Sequence, residues 1–194
     1  MKPLVLVLLL LCGCTTNFSL LPQKPAEPFG GIPNFFKVDE GVYRGAQPLK
    51  SGFDYLKSIG VKTIYKLNLD SEGSDTYSES IGIKVVRLPI TDWDQIIGPP
   101  PVAQMKALVL QVKPGSFIHC GSTERTTGSI YKKLKNQGGQ DRTGLFVFYY
   151  RLGHGWTYSV AREEALGIGF HRELHGLNEA MENEAKSNKS VRPQ

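Results

Sequence analysis

The residue types that could do chemistry here are a cysteine and an arginine. Residues 118–125 read IHCGSTER, and 138–144 read GGQDRTG, so Cys120 supplies a thiol while Arg142 and Arg125 are rival guanidinium groups. A thiolate of this kind attacks phosphorus in line, opposite the leaving oxygen, and forms a cysteinyl-phosphate. It has to be ionised, which asks for hydrogen-bond donors and positive charge around it. Successive backbone N–H groups and a guanidinium fork then hold the three equatorial oxygens as charge spreads over them. A carboxylic acid on another loop protonates the leaving group and afterwards acts as base for the hydrolytic water. Asp92 and Asp94, on either side of Trp93 in ITDWDQIIGPPP (90–101), are the candidates, with Asp92 preferred.

The rest of the composition narrows the field. Of the three cysteines, Cys12 and Cys14 lie at the N-terminus. There, MKP is a short basic region, and 4–11 is an apolar run too short to span a bilayer. LCGC (11–14) resembles a bacterial lipobox, which implies a signal peptide over 1–13 and lipidation of Cys14. Thr15 and Thr16 follow with no aspartate, a pattern that resembles outer-membrane sorting, so the expected place is the cell envelope, lipid-anchored and facing the periplasm. Residues 14–33 read as a flexible tether with four prolines. Processing would leave Cys120 as the one free thiol, a liability in an oxidising compartment unless it has work to do. The formal net charge is +5; removing Lys2 with the signal leaves +4, which favours anionic substrates or an anionic surface. No aromatic or basic pattern supports nucleic-acid binding. His119, His154, His171 and His175 are scattered, so neither a metal nor another cofactor is expected; the last two have i,i+4 spacing and read as structural.

The elements that must position these groups alternate along the chain. Residues 36–48 (FKVDEGVYRGAQP) read as a first strand and turn with Val38, Val42 and Tyr43 inward, and 51–58 as a short helix closed by Gly60. Period-two alternation marks 61–68 (VKTIYKLN) as a strand, and 83–88 is a second. Helical period covers 102–112, and 116–119 (SFIH) is a short buried strand with Cys120 at its mouth. An apolar helix is expected over 143–152, another over 158–166 with Thr157 as N-cap, and a last one over 174–185 before a frayed end. The fold expected is α/β, a central mostly parallel sheet flanked by helices. One domain is anticipated over 34–180, with a tail over 181–194. A strand, a short loop and a helix N-terminus form an anion-binding arrangement.

On these residues the chain resembles the cysteine-dependent protein phosphatases of the tyrosine and dual-specificity types. Their signature is HC-x-x-G-x-x-R-[ST]-G; FIHC (117–120) is similar to its first half and GQDRTG (139–144) to its second. FKVDEGVYRGAQP resembles the opening of bacterial members, and LPITD (88–92) their acid loop. The resemblance implies a tyrosine-phosphatase-like fold, with Cys120 as nucleophile, Arg142 as phosphate-binding arginine and Asp92 as general acid. Thr143 would donate to the sulfur. Gly138, Gly139, Gln140 and Asp141 would line the phosphate, with Gly139 standing where a side chain would crowd it. His119 would hydrogen-bond loop backbone and help fix the cysteine.

The departure is in spacing. Twenty-one residues separate Cys120 from Arg142 where the family has five. Deleting 121–136 leaves CQGGQDRTG, which restores the pattern. Three explanations stay open. The extra segment loops outward, at an added closure entropy of roughly 1.2 kcal/mol; or Arg125 serves instead, in a loop one residue short that places Glu124 beside the phosphate; or the segment is engineered, mobile-element-derived or a sequence error in a parent with the short loop. The substrate expected is a phosphoprotein or a phosphorylated small molecule such as an inositol polyphosphate. A phosphate-binding module without turnover is the rival reading.

Overall fold

A computed structural model describes residues 29–90, 100–121 and 138–190. The stretch expected to be one strand and a turn is a hairpin, in which β1 (Phe36–Asp39) and β2 (Val42–Ala46) pair antiparallel. Gly41 turns it with φ 66°, and a Cβ there would lie 2.9 Å from the Pro114 side chain. Val38 and Val42 point inward, but Tyr43 is half-buried and stacks on Phe35. β3 (Thr63–Lys66) and β4 (Lys84–Arg87) are shorter than their alternation suggested, while β5 (Ser116–Cys120) is one residue longer and takes in Cys120 itself. β2, β5, β3 and β4 run parallel, and the sheet order is β1-β2-β5-β3-β4. The α/β class with a mostly parallel sheet flanked by helices is the architecture found.

Position in the sheet explains the composition of β5. A central parallel strand is covered on both faces and therefore shows no polar alternation, and all five residues of SFIHC are buried. Ile118 and Cys120 join the core on one face, under α3 (Val102–Val109), α4 (Asp141–Gly153), α5 (Tyr158–Gly167) and α6 (His175–Ser190). Phe117 belongs to the core on the other face, under α1 (Lys50–Ser58) and α2 (Thr76–Ser80), and the His119 ring stacks on it. α4 is the centre of the first layer: every residue from Asp141 to Arg151 is buried, so it is covered on all sides rather than amphipathic. Thr157 caps α5 by accepting from the Val160 N–H. The last helix extends to Ser190, past its expected end at 185 and through much of the stretch read as a tail. Leu177, Ala180 and Met181 give it a buried stripe at helical spacing. His171 lies in the turn before this helix, so it shares no helix face with His175. Among the described residues no helix is long and apolar enough to cross a membrane.

The strand ends define where a ligand can go. β2 leads through α1 to β3, which does not pair with it; β5 fills the gap between them. In an open parallel sheet, the crevice beyond the carboxyl ends at such a switch point is the usual ligand site. Here those ends are Ala46, Cys120 and Lys66.

Candidate active site

Cys120 ends β5 in register with Ala46, with 3% of its surface exposed. The next carbonyl, Gly121, accepts from the Gln47 N–H at 2.9 Å. The description resumes at Gly138, whose carbonyl accepts from Asn34 Nδ2 at 2.7 Å. These two points are neighbours: a Cβ built on Gly138 would stand 2.7 Å from the Gly121 carbonyl oxygen and 3.1 Å from the Ala46 side chain. The long span therefore begins and ends at one place. Arg142 also reaches it, because its Nη2 lies 3.0 Å from where a Gly121 Cβ would be. With the contact at Gly121 and Gly138, the residues that close the short circuit from Cys120 to Arg142 are Gly121, Gly138, Gly139, Gln140 and Asp141. Five residues lie between, as in the short loop, and the cut the contact marks is 122–137 rather than 121–136. Asp92, Asp94, Arg125 and Cys14 lie outside the described residues.

The returning half of the loop is held from β2. Arg44 Nη2 donates to the Gly139 carbonyl at 2.8 Å and, more weakly, to that of Gln140 at 3.4 Å. A peptide is planar and trans, so its N–H points opposite to its carbonyl. Holding the carbonyls of Gly138 and Gly139 toward Asn34 and Arg44 therefore turns the N–H groups of Gly139 and Gln140 away from them. The first N–H groups of α4 follow at once and have no acceptor within the helix. The structure gives Gly139 a steric requirement of its own. Its φ is 72°, and a Cβ would lie 2.4 Å from the Gly45 carbonyl carbon, so a side chain there would strike the end of β2. The Gln140 and Asp141 side chains turn elsewhere. Gln140 Nε2 donates to the Ile168 carbonyl at 3.3 Å, and Asp141 accepts from the His171 N–H at 2.8 Å and pairs with the His171 ring. What these residues present toward the loop is backbone.

Arg142 is positioned by two partners from other loops: Nη1 donates to Glu72 at 2.6 Å and to the Ile90 carbonyl at 3.1 Å. Thr143 departs from its expected role. Its hydroxyl is buried and makes no hydrogen bond among the described residues, to the Cys120 sulfur or to anything else. Cys120 itself lies on the last rung of the sheet, opposite Ala46.

His119 also differs from expectation. Its ring faces away from the loop, onto the α1 side of the sheet, and Nε2 pairs with Asp75 at 2.9 Å with both side chains fully buried. The reason is strand alternation: neighbours on β5 point to opposite faces, so the ring cannot lie beside the sulfur. Asp75 accepts from Gln47 Nε2 at 2.8 Å, and Gln47 in turn accepts from Asn68 Nδ2 at 3.1 Å. One polar chain thus ties the ends of β2, β3 and β5 together beneath the crevice. Burial alone would raise the Asp75 carboxyl, but His119, Gln47 and Lys66 together hold it below the ordinary carboxylate value.

Two buried cations were missed as functional candidates, although a signal existed. Arg44 is in phase with Val42 and Ala46, and Lys66 with Ile64, so alternation points both charges inward. Burial pushes Lys66 down, against Asp75 and Asp70, and pushes Arg44 down to about 10, against Glu164 and Cys120. Asp75, Gln47, Asn68 and Glu72 carried no such signal, since nothing local distinguishes them from loop residues. Among the described residues no group of His, Cys, Asp or Glu side chains could hold a metal ion.

No family model matches the chain, and no curated protein matches it. Solved structures do. TpbA of P. aeruginosa superposes with a TM-score of 0.59 at 21% identity, over 81% of this chain and 87% of that one. The core catalytic domain of the PP-IP phosphatase SIW14 from S. cerevisiae, in complex with citrate, gives 0.57 at 20% identity, over 82% and 93%. PTPMT1 in complex with PI(5)P gives 0.52 at 18% identity, over 79% and 98%. At these identities the likeness is one of fold, and the fold of this chain is tyrosine-phosphatase-like.

Proposed function

We propose that the chain is a cysteine-dependent phosphatase of the phosphotyrosine/dual-specificity type, hydrolysing phosphate monoesters through a cysteinyl-phosphate. The observation that carries this reading is the approach of the Arg142 guanidinium to Gly121, the residue after Cys120. It supports a single anion shared between the sulfur and Arg142 despite their separation in sequence. In the first step the Cys120 thiolate attacks phosphorus and the ester P–O bond breaks; Asp92 gives its proton to the departing oxygen. In the second, water attacks the phosphorus, Asp92 takes its proton, and the P–S bond breaks to release phosphate and the thiolate. N–H groups from Gly139 to Thr143 and the Arg142 fork hold the oxygens in both steps. The tie between Arg142 and the Ile90 carbonyl, two residues before Asp92, supports a link between phosphate seating and the acid loop.

The runner-up substrate class is an inositol polyphosphate, favoured by the net charge of +5 and by fold neighbours described as a PP-IP phosphatase and as a complex with PI(5)P. The full chain is expected to hydrolyse an aryl phosphate, and Cys120→Ser to abolish turnover. Phosphate binding without turnover would instead make it a phosphate-binding module. Rates on a phosphotyrosyl peptide against inositol hexakisphosphate decide between the substrate classes. The N-terminal reading adds a lipid anchor at Cys14 to the envelope membrane, and its check is the wild type partitioning with membranes while Cys14→Ser does not.

A further inference from the structure

Arg44 stands out among the polar groups that the chemistry above leaves unused. Its side chain is 1% exposed and one of the largest wholly buried among the described residues, yet no carboxylate among them touches it. The carboxylates acting on it from a distance are committed elsewhere. Glu164 accepts from Arg151 Nη2 and Nε, at 2.6 and 2.8 Å, and Asp141 pairs with His171. Among the described residues Nε and Nη1 have no hydrogen-bond partner; only Nη2 is used, on the Gly139 and Gln140 carbonyls. A buried guanidinium that spends its donors on loop carbonyls, with no counter-ion in contact, is poorly explained as a structural ion pair.

We propose that Arg44 is a positioning residue for the phosphate site: from β2 it fixes the Gly139 and Gln140 peptides so that the loop N–H groups face the anion, and its unpaired charge is balanced only when that anion is bound. This deepens the phosphatase reading and rests on it. Arg44 itself does not touch substrate; it acts through the backbone it holds. Two consequences follow. Phosphate binding depends on both the charge and the fork of residue 44, and phosphate stabilises the fold partly through that charge.

The test is protection of Cys120 from iodoacetamide by inorganic phosphate, read by peptide mass spectrometry on the full chain so that Cys12 and Cys14 are counted separately. Wild type, Arg44→Lys and Arg44→Met are compared, with circular dichroism as the folding check. We expect the half-protecting phosphate concentration to rise about tenfold or more in Arg44→Met and by a smaller factor in Arg44→Lys, which keeps the charge but loses the fork. The rise in melting temperature with phosphate should shrink in the same order. A folded Arg44→Met protected at the wild-type concentration overturns the proposal. If Arg44→Met does not fold, Arg44→Lys decides, and wild-type protection there overturns it equally. Failure of phosphate to protect Cys120 in the wild type sinks the phosphatase reading, and this proposal with it; protection in the wild type that persists in the variants sinks this proposal alone.

Discussion

Arg44 and Lys66 flank the central strand from either side and are equally buried, but their surroundings differ. Lys66, on β3, donates to the Asn68 and Leu69 carbonyls at 2.9 and 3.2 Å and pairs with Asp70 at 3.4 Å. On the same side, His119 has Asp75. That half of the site is neutralised within the protein. Arg44, on β2, has loop carbonyls and, among the described residues, no carboxylate in contact, although leaving buried donors unmade costs about 1–3 kcal/mol per group. The contrast separates two uses of a buried charge. One side is a polar staple that holds strand ends in place and pairs its charges with carboxylates, although His119 Nδ1 and Asn68 Oδ1 have no partner among the described residues. The other leaves a buried guanidinium with no carboxylate in contact among the described residues, where a bound anion has something to gain.

The contrast can be broken most severely on the staple side. Asp75→Asn removes a buried carboxylate that accepts from Gln47 and pairs with the His119 ring, and should cost about 1.5–3 kcal/mol of stability at neutral pH, read by urea denaturation. The pH dependence has a definite sign. The Asp75 carboxyl ionises below its ordinary value of 3.8 when folded, so its stabilisation is complete above that value and vanishes as pH falls through the folded one. The gap between wild type and Asp75→Asn should therefore be constant near neutrality and close in acid. A gap independent of pH would mean that the pair is not held by charge. The Arg44 variants come next, since a tenfold loss of phosphate affinity corresponds to about 1.4 kcal/mol. They should leave the staple intact and change binding rather than fold.

The smallest effect sharpens the comparison instead of breaking it. If Asn34, Arg44 and Gln47 hold both ends of the loop from outside, residues 122–137 are not needed to shape it. Joining Gly121 directly to Gly138 should give a folded protein, more stable by roughly 1.2 kcal/mol from the shorter closure. Phosphate should protect its Cys120 at least as well as in the parent. Weaker protection would show that the shape of the loop depends on the excised residues.

Much of the fold was legible because periodicity reports burial. SFIH reads as a short buried strand, and the apolar run after Arg142 as a central helix; both are so placed, the strand running one residue further to Cys120. The β1–β2 hairpin was not resolved, since Gly41 turns within a stretch whose apolar residues suit one strand or two. The helical course of 186–190 was hidden because it adds no apolar residue to the stripe. At the site, Cys120, Arg142 and Gly139 were legible as residue types, but the collision that requires Gly139 lies with Gly45, far away in the chain.

Sequence alone determined the chemical inventory: a thiol at the end of a strand, a guanidinium, a glycine pair and a run of apolar residues able to carry them. It also left two charges in phase with the buried side of their strands. Only the tertiary structure decided which groups meet. Gly121 touches Gly138 because β2 and β5 pair in parallel and present their ends together, and His119 finds Asp75 because β5 turns alternate side chains to opposite faces. Such contacts depend on sheet order and register, which join residues with no local preference for one another.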